Sequence, residues 1–76
     1  MVVMNKYYIY RLDKYNQKKY FLGDKKFVCW VASTCGATSF DNYFGALEQL
    51  ERIANTENIN ITELHIEVCR NPCRRG

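Results

Sequence analysis

The chain has little punctuation. Among 76 residues there is one proline, Pro72, and there are four glycines. There is also a single tryptophan, Trp30, and a single histidine, His65. No repeat or low-complexity tract is present. No apolar run approaches the ~18 residues of a membrane span. Met1-Val2-Val3-Met4 is too short for the apolar centre of a secretory signal, and Lys6 follows it directly. A cytoplasmic location is therefore expected, with Met4-Asn5-Lys6 as an alternative start. No phosphate-cradling glycine loop, nucleophile elbow or paired-carboxylate pattern occurs. These absences argue against an enzyme, and no cofactor is expected.

What is present is a small apolar domain rich in rings. Hydrophobic residues make up 47%, which is the composition of a folded chain. One domain is expected over 1–76, with 1–5 and 70–76 as flexible ends. A core of this size yields only a few kcal/mol net. Six Tyr, four Phe and one Trp are more rings than one helix on one sheet can bury. Some must lie near the surface, where tyrosine suits a binding face.

The clearest period lies in Ser39–Ala54. Tyr43, Leu47, Leu50, Ile53 and Ala54 fall on one helical stripe beside Ala46. Glu48, Glu51 and Arg52 fall mostly on the other side. Asp41 is the expected N-cap and Ser39 the alternative. Phe44 sits on the flank, and Gly45 weakens the helix by about 1 kcal/mol relative to Ala. A helix of about 13 residues is marginal alone and needs a sheet to pack on.

Four other stretches read as strands: Lys6–Leu12, Lys18–Leu22, Phe27–Ala32 and Ile59–Cys69. The first is apolar or aromatic on both faces, so either Tyr7 and Ile9 or Tyr8, Tyr10 and Leu12 point inward. Asp13–Gln17 and Gly23–Lys26 are turns, with Gly23 free to take positive φ. The third strand, nearly all apolar, has the look of a central strand. In the fourth, Leu64, Ile66 and Val68 face the helix, and Glu63, His65 and Glu67 face out. The order β-β-β-α-β gives an α+β two-layer sandwich with one helix on one face of a mostly antiparallel sheet. Counting directions makes the fourth strand parallel to the first and third. It joins beside strand one, for a spatial order of 4-1-2-3.

Charge is uneven. Residues 1–38 hold seven basic and two acidic side chains, and residues 39–76 hold four and six. Lys14, Lys18, Lys19, Lys25 and Lys26, with the arginine tail, could meet nucleic-acid phosphates. Lysines also guard sheet edges. The cysteines, Cys29, Cys35, Cys69 and Cys73, lack the C-x2-C spacing usual for zinc. Direction counting would bring Cys35, Cys69 and Cys73 to one end of the sheet, which keeps a zinc-stapled structural protein as an alternative. Free thiols are the default in a cytosolic chain, and Cys29, in mid-strand, is expected in the core. His65 between Glu63 and Glu67 has no nucleophile in reach and reads as a surface histidine.

Several runs, Tyr8-Ile9-Tyr10-Arg11, Lys19-Tyr20-Phe21-Leu22, Phe27-Val28, Ala37-Thr38-Ser39-Phe40-Asp41, Ala46-Leu47 to Ile53 and Ile66-Glu67-Val68, together span most of the chain. They resemble small β-β-β-α-β proteins encoded by phages and prophages of low-GC bacteria. Compact proteins of that origin include anti-CRISPR proteins. The resemblance implies a non-enzymatic inhibitor that binds a host defence protein, such as a Cas effector, in the host cytoplasm. Tyr8, Tyr10, Tyr20 and Trp30 are the expected partner-binding aromatics, with Glu48, Glu51, Arg70, Arg74 and Arg75 as polar contributors. A small RNA- or DNA-binding module is the second reading. Edge pairing would allow a homodimer.

Overall fold

A computed structural model describes residues 5–23 and 27–70, with the Arg70 side chain excepted. The strands are β1 (Asn5–Leu12), β2 (Lys18–Gly23), β3 (Val28–Val31) and β4 (His65–Arg70), and the helix is α1 (Tyr43–Thr56). They form an α+β structure: one sheet, ordered β3-β2-β1-β4, with α1 on one face. β1 and β2 join through a turn in which Asn16 takes φ 63°. There the Asp13 carboxylate accepts the N–H groups of Tyr15 and Gln17 at 2.8 and 3.0 Å. The next turn begins at Gly23, whose φ of 152° and close approach to Phe27 leave no room for a side chain. A Cβ there would stand 1.8 Å from the Phe27 carbonyl oxygen.

The sheet is antiparallel throughout, which corrects the direction expected for the last strand. Direction counting assumes one crossing between β3 and β4, but the chain makes two. The segment after β3 runs back along the sheet before α1 begins. Its residue Phe40 exchanges both backbone hydrogen bonds with Tyr7 at 2.9 Å, and Thr38 N–H donates to the Phe21 carbonyl at 2.9 Å. The Thr38 hydroxyl also bonds both backbone groups of Gly23. β1 and β2 pair only near their turn, from Tyr10–Leu12 to Lys18–Tyr20, and this segment bonds to both strands beyond it. β3 is thus an edge strand and only half-buried, not central.

Asn42, rather than Asp41 or Ser39, caps α1, its side chain accepting the Gly45 N–H at 2.7 Å. Asp41 instead pairs with Lys6. At the other end, Asn58 takes φ 56° and Ile59 N–H reaches back to the Ala54 carbonyl at 3.0 Å. That is a Schellman stop with asparagine in the place glycine usually holds, so the helix runs past Ala54 to Thr56. A 3-10 turn at Ile61–Glu63, capped by Asn60, delays β4 to His65.

The core holds Ile9, Phe21, Ala46, Leu50, Ile53 and Leu64, with Tyr7, Trp30, Phe40 and Ile66 packed around it. Ile9 and Tyr7 therefore face the helix, and Tyr8 and Tyr10 face away. The buried stripe is centred on Ala46, Leu50 and Ile53, while Tyr43 is exposed. Among the described residues no helix is long and apolar enough to cross a membrane.

Candidate functional site

Three surfaces hold most of the side chains singled out above. The first is the sheet face away from α1, bearing Tyr8 and Tyr10 from β1, Lys18 and Tyr20 from β2, and His65 and Glu67 from β4. Tyr20 leans across the sheet, and its hydroxyl meets Glu67 Oε1 and Oε2 at 3.2 and 3.3 Å. In doing so it packs edge-on against Tyr8, with centroids 6.3 Å apart. Tyr8 is left 3% exposed and Tyr20 9%, so neither offers a free ring to a partner. Tyr10 stays half-buried, stacked near His65 at 5.1 Å with the Lys18 ammonium 4.8 Å from its ring. Lys18 Nζ donates to Glu67 Oε1 at 2.7 Å, which favours the charged lysine and raises its pKa. Burial, and then the Glu67 charge, raise the pKa of Tyr20. Burial, and then the same carboxylate, push the Cys69 thiol up. This disfavours the Cys69 thiolate. On this face Glu67 gathers Lys18, Tyr20 and Cys69.

The second surface lies at the start of α1. Tyr7, Tyr43 and Phe44 form a chain of edge-on rings, with centroids 6.2 and then 5.8 Å apart. Val68 is the cross-strand neighbour of Tyr7 on β4 and is also exposed. Phe44 is 78% exposed and Tyr43 47%. Glu48 and Glu51 follow Phe44 at helical spacings of four and three, so they line the same outward stripe. Both are exposed. Phe44 as a surface residue was readable from that spacing, since it lies off the buried stripe.

The third surface is a concavity of about 440 Å³ at the β1–β2 turn, on the helix side of the sheet. Trp30, Arg11, Lys14, Tyr15 and Lys19 line it, with Leu12 and Asp13. Trp30 pairs with Phe21 across β2 and β3, so it belongs to the opposite face from Tyr8, Tyr10 and Tyr20. Strand alternation alone left that choice open, because the register between β2 and β3 sets it. Arg11 and Tyr15 lacked any sequence signal for this site, since they come together only through the hairpin register.

Of the five lysines read as a nucleic-acid set, Lys14 and Lys19 line this concavity, and Lys18 lies on the other face. Lys25, Lys26, Arg74 and Arg75 fall outside the described residues. Arg70 ends β4. Glu63 lies in the 3-10 turn, not the strand, and pairs with Arg11 at 3.7 Å. Cys29 is half-buried on the face away from the helix, not in the core. Because β4 runs opposite to β3 on the far edge, the end of β4 that bears Cys69 lies away from the end of β3. The expected gathering of Cys35 and Cys69 rested on the wrong strand direction. Cys73 lies outside the described residues, among which no group of three or more His, Cys, Asp or Glu is placed to hold a metal. Comparison of the chain with protein-family models, curated proteins and solved structures finds no match.

Proposed function

We propose that this chain is a non-enzymatic inhibitor that works by stoichiometric binding to a host defence protein, as the resemblance to phage-encoded proteins implies, with a Cas effector as the leading target. The observation that supports it is the Tyr43–Phe44 ring pair, left in water at the tip of a helix whose outward stripe continues as Glu48 and Glu51. Fully burying a phenylalanine side chain is worth about 1.5–3 kcal/mol, so a ring left this open has that much to gain from a partner. Aromatic side chains that fill a pocket are the usual anchors of protein interfaces. The matching surface is an apolar socket with a basic rim on the Glu48 and Glu51 side. Tyr43 and Phe44 replace the buried Tyr8 and Tyr20 as the anchors.

The test is a titration of the purified chain into RNA-guided nucleases of low-GC bacteria, with target cleavage as the readout. Cleavage should stop near a one-to-one ratio, and Phe44→Ser should abolish the effect while leaving the thermal melt unchanged. Inhibition at far below one-to-one would point to an enzyme instead. Undiminished inhibition by Phe44→Ser would remove this surface from the proposal.

A further inference from the structure

We infer that the concavity beside the β1–β2 turn is a binding site for single-stranded nucleic acid. It lies at the turn end of β1, whereas the Phe44 surface adjoins Tyr7 and Val68 toward the other end of the sheet. It therefore stands independently of the inhibitor reading. Two observations coincide here. The first is a pair of ring surfaces. Tyr15 is 71% exposed on the turn, and Trp30 is half-buried in the lining with the Arg11 guanidinium 5.6 Å from its ring centroid. A base can stack on the open Tyr15 ring, and on Trp30 once the Arg11 guanidinium swings from it to a phosphate, because every base has a π face. The second is charge. Arg11, Lys14 and Lys19 present three cations around the rings, against two carboxylates, Asp13 in the lining and Glu63 beside Arg11.

Asp13 accepts two backbone N–H groups of the turn, and Lys19 stands 3.9 Å from its second oxygen. Glu63 meets Arg11 at 3.7 Å. Both ion pairs are partly solvent-exposed and exchangeable, and they leave Lys14 as the cation without a carboxylate partner in the lining. Lys14 lies over Tyr15 at 5.3 Å, so one side chain pair joins a stacking face to a phosphate-seeking charge. The volume of about 440 Å³ falls in the range of sites that take a ligand of a few rings. An acidic peptide would use the cations and leave both rings idle. A duplex would hide its base faces from them. Unpaired nucleotides use both.

Trp30 is the only tryptophan of the chain, so its emission reports on this site. The experiment titrates the full chain with an oligothymidylate of about twelve nucleotides at about 20 mM salt. The comparison arms use a duplex of the same length and polyglutamate. Saturable quenching by the single strand is expected, weaker for both other polyanions. Three phosphate contacts give a slope of log affinity against log salt of about −2. Tyr15→Ala should weaken binding roughly 5- to 100-fold, and Lys14→Ala should make the salt slope shallower by about 0.7. Phe44→Ser should bind normally. Absence of quenching at low salt overturns the inference. So does quenching by duplex or polyglutamate equal to that by the single strand, or a Tyr15→Ala variant that binds like the parent.

Discussion

Glu67 ties together groups from two strands on the sheet face away from the helix. Its carboxylate takes the Lys18 ammonium and the Tyr20 hydroxyl, and the Cys69 thiol lies 3.7 Å away. Lys18 and Tyr20 both hold their protons more tightly in the folded chain than in the unfolded one. A raised folded pKa stabilises fully below the unfolded value and is lost as pH rises through the folded one. The Cys69 thiol is raised too, from a lower ordinary value, so the urea midpoint should fall as pH rises above about 9. Glu67→Gln should flatten that fall in part, since it removes the hydrogen bond that raises Lys18 but not the burial that raises Tyr20. An unchanged slope in Glu67→Gln would show that the high-pH loss arises elsewhere. Gly23 makes a second prediction at this scale. Gly23→Ala should destabilise the chain by more than about 1 kcal/mol in urea unfolding, because its φ and the Phe27 carbonyl both exclude a methyl group.

At the scale of elements, α1 shows how much a terminus depends on single residues. Asn42→Ala should cost about 1 kcal/mol, the usual value of a lost N-cap. Asp41→Ala should cost less, as it breaks only an exposed ion pair with Lys6. The reverse ranking would restore Asp41 as the cap. Asn58 sits in the left-handed region. Asn58→Gly should leave the urea midpoint equal or higher, and Asn58→Val should lower stability by about 1–2 kcal/mol. Much of this helix was legible beforehand, because Ala46, Leu50 and Ile53 recur with its period. Its caps were not, because aspartate, asparagine and serine all cap well and the backbone path decides among them.

For the molecule as a whole, one small core must hold both layers. Ile53 is fully buried between helix and sheet. Ile53→Ala should cost about 2–5 kcal/mol. Domain stability runs at roughly 0.05–0.15 kcal/mol per residue, so this one change should leave the melt far lower or absent. Phe44→Ser should shift stability by no more than about 0.5 kcal/mol, since Phe44 lies outside the core. The aromatics thus divide into those that fold the chain, such as Phe21, and those that fold leaves in water, such as Phe44 and Tyr15.

Local pattern determined the element types, the single helix and the adjacency of β1 with β2 and β2 with β3. Each follows from a period or a turn residue within a dozen positions, or from the short connections that join neighbours. Tertiary structure decided the direction of β4, the side on which Trp30 lies and the burial of Tyr8 and Tyr20. The first depends on a loop that crosses the sheet and bonds to Tyr7 and Phe21. The second depends on the β2–β3 register. The third depends on a carboxylate forty-seven residues away from Tyr20. Such facts rest on hydrogen bonds between distant segments, and a period counted along one segment holds no record of them.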